Sequence, residues 1–219
     1  MEKGNRKNWI VTGALFVIFM IYTVVVKKVD IAAIGPEGSY VGFASINGLF
    51  RDAVPYNELL YTLSELLGFV AIAVCVAFGF VGLVQLIKGR SFKRVDAAIY
   101  VLGGFYIVVM SFYALFEKVI INYRPIIMDE GLEASYPSSH TVLAVCVFAS
   151  AIFEVGRYIK NAALKSVSTV ICVIFTALTV VFRMLSGVHW LSDIMGGLIL
   201  SAALIFLFIA ADRTFAGKR

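Results

Sequence analysis

Charge is scarce in this 219-residue chain. Only 15% of the residues are Asp, Glu, Lys or Arg, against 61% hydrophobic, and the mean hydropathy is +0.92. A soluble domain of this length needs a more polar surface than these residues supply. Histidine is scarcer still, with two residues, His140 and His189. The three cysteines, Cys75, Cys146 and Cys172, are odd in number, and each lies inside an apolar run. That placement argues for small buried side chains and against a disulfide framework or a thiol metal site. Internal repeats, low-complexity tracts and the alternating pattern of a membrane barrel are also lacking.

Long apolar runs are what the chain has in abundance. Six of them, at about 9–26, 59–87, 97–121, 140–159, 162–182 and 191–211, reach the roughly 18 residues that cross a bilayer core as a helix. The first is followed by Lys27-Lys28 where a cleavage site would need small residues, so it reads as an uncleaved span. The expected fold class is all-α: a polytopic membrane protein with six transmembrane helices in one bundle and a single membrane domain over residues 1–219. Segments 1–8, 88–96, 157–165 and 212–219 hold 13 of the 19 Lys and Arg residues, and the alternate loops hold 6. This asymmetry places both termini in the cytoplasm. Basic residues grouped between spans mark topology, so no nucleic-acid partner is expected. Trp9 and Trp190 are then expected near opposite membrane interfaces. In segment 30–56, the spacing of Phe43, Ile46, Leu49 and Phe50 predicts a short amphipathic helix on the membrane surface. It either guides lipid towards a site or covers the helix ends.

Three polar clusters flank the outer ends of spans three to six. They are Glu117-Lys118 through Asn122-Tyr123-Arg124-Pro125; Tyr136-Pro137-Ser138-Ser139-His140-Thr141; and Arg183 through Gly187 to His189, Trp190 and Asp193. Both histidines and three cations of costly position, Lys118, Arg124 and Arg183, fall on one side. Fixed cationic donors suit the charge that a phosphoryl group spreads over its oxygens in transit. Pro137-Ser138-Ser139 should open a helix whose free N–H groups bind an anion, with serine hydroxyls adding donors. His140 is placed to give a proton to a leaving oxygen. His189 and Asp193 are four apart, on one face if the helix begins by His189; the carboxylate then orients Nδ1 and leaves Nε2 to attack phosphorus. A zinc site of His140, His189 and Asp193 is a second chemical reading, disfavoured by the neighbouring cations. Glu65 and Glu154 lie within apolar runs and receive no role.

The clusters resemble those of the type 2 phosphatidic acid phosphatase family of membrane lipid phosphatases. Arg124-Pro125 matches the end of its first motif. Pro137-Ser138-Ser139-His140 matches the second with Ser for Gly, and Arg183, His189 and Asp193 match the third at the expected spacing. The resemblance covers roughly residues 59–211. It implies His189 as nucleophile, Asp193 as its partner and His140 as general acid. It implies phosphate binding by Arg124, Arg183, Ser138 and Ser139, and no metal or other cofactor. Two positions depart from the pattern. Glu117 stands where the first motif has lysine, with Lys118 one residue later and about 100° round a helix, and Phe182 replaces the serine before Arg183. The expected activity is hydrolysis of a phosphorylated lipid at the outer face of a bacterial plasma membrane, through a phosphohistidine. A polyprenyl pyrophosphate is favoured over phosphatidic acid, phosphatidylglycerol phosphate or a lipid A phosphate. A protein that binds or transports a phosphate lipid without cleaving it is the rival reading.

Overall fold

The structure, a computed structural model, describes residues 3–128 and 131–217. Lys218 and Arg219, counted above among the C-terminal basic residues, lie outside the described residues. Seven α-helices run through the described chain: α1 (Lys3–Lys28), α2 (Ala44–Ala53), α3 (Glu58–Gly89), α4 (Ala97–Lys118), α5 (Ser139–Tyr158), α6 (Ala162–Leu185) and α7 (Leu191–Phe215). All except α2 are long and apolar enough to cross a membrane, so the expected six spans are present. Outside the helices, strand-like pairing among the described residues is confined to isolated bridges.

Local chemistry sets the helix ends. Asn57, Asp96 and Asn161 cap α3, α4 and α6, each side chain accepting a hydrogen bond from a first-turn N–H. α4 stops at Lys118, short of the expected residue 121, because the following backbone finds other partners. Lys27 Nζ donates to the Ile120 carbonyl at 3.3 Å, and the Asn122 carbonyl accepts from the Ser135 N–H and hydroxyl at 3.0 and 3.1 Å. The chain then runs extended, with the Arg124 N–H donating to the Glu133 carbonyl.

α5 and α7 form the centre of the bundle. Half of the residues in their most apolar stretches are buried, against 11% for α3 and α6, which face outward. α1 and α7 share the most extensive helix–helix contact. Phe19 and Val26 of α1 meet Phe105 and Phe116 of α4 and Leu204 and Phe208 of α7 in the main core. In lipid such contacts hold through van der Waals packing and not through release of water. All three cysteines are free thiols.

Trp190 directly precedes the last span, but its ring turns into the protein. Its indole is fully buried, donates from Nε1 to the Tyr123 carbonyl at 2.6 Å and lies under the Arg51 guanidinium. It plugs the start of α7 because that carbonyl offers its N–H a partner inside the protein. The short amphipathic helix is present as α2, with Ile46 and Leu49 exposed. Its buried Asn47 exchanges two hydrogen bonds with Ser192, donating to Oγ at 2.9 Å and accepting from the backbone N–H at 3.1 Å. α2 is therefore bolted to the first turn of α7. The alternating spans bring the starts of α3, α5 and α7 and the ends of α1, α4 and α6 to one end of the bundle. There the Ser138 N–H donates to the Asp193 carbonyl and the Asn57 N–H to that of Ser186.

Candidate active site

His189 lies in the turn between α6 and α7 and is 2% exposed. The turn is held by Gly187, whose φ is +73° and where a Cβ would come within 2.9 Å of the Pro55 and Tyr56 backbone. No other residue fits that conformation and that approach together. α7 begins at Leu191, with Trp190 as N-cap. Asp193 sits in its first turn, fully buried, and its Oδ2 accepts from the Trp190 N–H at 3.0 Å. The same Oδ2 is 3.6 Å from His189 Nδ1, just beyond hydrogen-bonding reach. Such pairs are often long until substrate draws them together. Asp193 Oδ1 accepts from Asn122 Nδ2 at 3.2 Å. The carboxylate is thereby fixed by the N-cap of its own helix and by the segment that follows α4, with His189 Nδ1 facing it.

Cations surround this imidazole. Burial, followed by the positive charges of Arg183, Arg124 and His140, holds the His189 pKa well below its ordinary value of 6.5. The ring is consequently neutral at physiological pH, as an attacking nitrogen must be. Arg183, near the end of α6, is fully buried; its Nη1 donates to Ser64 Oγ at 3.1 Å and to Glu65 Oε1 at 2.7 Å. Its Nε and Nη2 are buried without a protein partner. Arg124 lies beside the Glu133 carboxylate, Nε to Oε2 2.9 Å, and its Nη1 is buried and unpartnered. Unsatisfied guanidinium N–H groups converging near a neutral histidine form a donor set that fits a tetrahedral oxyanion.

α5 opens where the Pro137-Ser138-Ser139 run predicts, with Ser138 as N-cap and no side chain capping its first turn. Ser138 is buried and its Oγ accepts from the Thr141 hydroxyl at 3.0 Å. Ser139 and His140 line, together with His189, an apolar cavity of about 490 Å³ that descends between α3, α4 and α5 along Phe116, Tyr113, Val109 and Tyr106. Glu117 lines this cavity and Lys118 does not. The one-residue offset in the first motif thus turns a carboxylate towards the site, and the structure does not bring Lys118 to the cluster. Glu65 was left without a role by the sequence, yet it joins the cluster from α3, accepting from Arg183 and pairing with His140 Nε2 at 3.1 Å. Its signal was present as a stripe, Tyr61, Ser64, Glu65 and Gly68, on one face of a largely apolar helix. The zinc reading gains no support, since the described residues contain no group of three His, Cys, Asp or Glu arranged to hold a metal ion.

Fold and site together define a helical integral membrane protein with a cluster of two histidines, two arginines and carboxylates at one end of its bundle. Residues 117–215 match the family model described as the PAP2 superfamily, a stretch containing Arg124, His140, Arg183, His189 and Asp193. The match spans a little under half of the chain, a likeness to that superfamily that supports a phosphatase enzyme. The fold is similar to that of a solved Bacillus subtilis protein described as the first transmembrane PAP2 type phosphatidylglycerolphosphate phosphatase. The TM-score is 0.61 at 19% identity, over 93% of this chain and 96% of that one, a likeness of fold. No curated protein matches the chain.

Proposed function

We propose that the protein hydrolyses a phosphorylated lipid at the outer face of a bacterial plasma membrane, through a phosphohistidine on His189 and without a metal ion. The observation that supports this most is a buried His189 that faces Asp193, feels the charges of two arginines and lines an apolar cavity. The head group lies against Arg124, Arg183 and the first turn of α5, and the lipid chain follows the cavity into the bilayer. His189 Nε2 attacks phosphorus; a P–N bond forms, the P–O bond to the lipid breaks, and His140 protonates the leaving oxygen. Asp193 holds Nδ1 as positive charge develops on the ring. Water then attacks the phosphohistidine, giving its proton to His140 as the P–N bond breaks and phosphate leaves. The outward orientation rests on the 13-to-6 asymmetry of Lys and Arg between the two sets of loops.

The favoured substrate is a polyprenyl pyrophosphate, by resemblance to the family; phosphatidic acid and phosphatidylglycerol phosphate offer the same chemistry. Phosphate release in detergent with excess chelator, measured on all three lipids for the wild type and for His189→Ala, tests the reading. Release that survives chelator and is abolished in the variant is expected, with lipid binding retained. Turnover persisting in folded His189→Ala would refute the phosphohistidine. Binding without hydrolysis is the second reading, favoured by Glu117 on the cavity wall; wild-type protein that binds all three lipids and releases no phosphate would establish it.

A further inference from the structure

Glu65 lies outside residues 117–215, half-buried on a helix whose exposed positions between Gly68 and Ile87 are apolar. Its two oxygens do different things. Oε1 accepts from Arg183 Nη1 at 2.7 Å, and Oε2 is 3.1 Å from His140 Nε2. The carboxylate thus bridges the buried arginine of α6 and the histidine at the start of α5. A charge inside a bundle that pairs with two groups of the reacting centre is placed for function.

The rest of that face of α3 is shaped to the same two residues. Ser64 Oγ, one position before, accepts from Arg183 Nη1 at 3.1 Å, and the guanidinium lies over the Tyr61 ring at 5.1 Å. Gly68, one turn further down, leaves room for the imidazole; a Cβ there would stand 2.9 Å from His140 Cδ2 and 3.2 Å from Nε2. One residue supplies the bond to His140 and another the space for it. His140 Nδ1 is buried and has no protein partner.

We infer that Glu65 is a positioning residue of the reaction, holding His140 as proton donor to the leaving oxygen while anchoring Arg183 for the phosphate. The assignment rests on the phosphatase reading given above. Its chemistry parallels that of Asp193 and His189. The carboxylate accepts the Nε2–H and stabilises the imidazolium, so that Nδ1 carries the proton that moves to the lipid alkoxide as the P–O bond breaks. After transfer the ring is neutral and still bonded to Glu65 through Nε2–H, ready to accept a proton at Nδ1 from the attacking water. Two histidines thus each face a carboxylate, one for the nucleophile and one, shared with Arg183, for the acid.

Glu65→Gln tests this while keeping the shape of the side chain and an acceptor for Arg183. Its amide offers His140 no negative charge. Phosphoenzyme formation is measured on dodecyl phosphate, a poor leaving group, and on p-nitrophenyl phosphate, a good one. The variant should lose at least about tenfold on dodecyl phosphate and less than about threefold on p-nitrophenyl phosphate, since only the first needs an acid. In a His140→Ala background the same substitution should cost nothing more. Equal losses on both substrates, undiminished turnover, or a full further loss without His140 would overturn the assignment. Gly68→Ala covers the case in which Glu65→Gln fails to fold. Alanine favours the helix, and its methyl displaces His140 from Glu65, so the same leaving-group-selective loss is expected and its absence refutes the role. A His189→Ala variant that still turns over strikes the phosphohistidine reading. An inactive His189→Ala with a flat leaving-group pattern strikes only the role of Glu65.

Discussion

Asp193→Asn perturbs one atom of the site, and its consequences can be worked from the contacts. Asp193 is fully buried and accepts from the Trp190 N–H at 3.0 Å and Asn122 Nδ2 at 3.2 Å; Ser192 Oγ and His189 Nδ1 stand at 3.5 and 3.6 Å. With the Ser135 hydroxyl, at least five donors face two oxygens. An asparagine keeps one acceptor and turns an amino group towards either Asn122 or the Trp190–His189 side. Asn122 cannot rotate its amide to compensate, because its Oδ1 accepts from the Gly42 N–H at 3.2 Å. One charge-assisted bond is lost, about 1.5–3 kcal/mol, and one buried donor is stranded, about 1–3 kcal/mol more, so thermal stability falls by a few kcal/mol. The reaction loses more than the fold does. A carboxylate that orients a histidine and carries its developing charge contributes on the order of 10²- to 10⁴-fold, or about 3–5.5 kcal/mol of barrier. Rapid-quench measurement of phosphoenzyme formation, alongside thermal unfolding in the same detergent, separates the two losses. A folded Asp193→Asn protein that forms phosphoenzyme within about threefold of the wild-type rate would refute the pairing of Asp193 with the nucleophile.

Acidity gives a further expectation. Burial and the charges of Arg183 and Arg124 lower the His189 pKa, which extends the neutral, attacking form downward in pH. Phosphoenzyme formation from saturating p-nitrophenyl phosphate should therefore persist through pH 6.5 and fall only below it. A midpoint at or above 6.5 would contradict the placement of His189 among cations. Glu117 supplies the other. Glu117→Lys replaces a carboxylate on the cavity wall with the residue type that the family has at this motif position, and should lower KM for the lipid phosphate several-fold. An unchanged or raised KM would mean that position 117 does not feel the head group.

Legibility in the sequence tracked the range of the interaction involved. The six spans were readable because a membrane helix must satisfy its own backbone, so length and apolarity suffice. Arg183, His189 and Asp193 were readable because they lie within eleven residues of one another and a single turn brings them together. The end of α4 was not, since Lys27 and Ser135, which take the backbone groups beyond Lys118, are far away in the chain. The phase of Glu117 and Lys118 depended on that same end. The burial of Trp190 was unreadable for a related reason: its partner, the Tyr123 carbonyl, is 67 residues distant. Glu65 was legible as a polar interruption but not as a member of the site, because its partners are 75 and 118 residues away.

The contact between α1 and α7 bears on biosynthesis. Of the described helices, α1 leaves the ribosome before all the others and α7 after them, yet they share the largest interface, and Tyr22 donates to the Ser192 carbonyl beside Asp193. His189 and Asp193 likewise emerge only after α1 to α6 have been made. Through most of translation α1 must therefore wait in the bilayer with its packing face against lipid or a chaperone, and only the arrival of the last helix seals the bundle. A chain interrupted before α7 lacks Asp193 and one of the two central helices together. Incomplete copies are thus loosely packed and open to removal by membrane proteases.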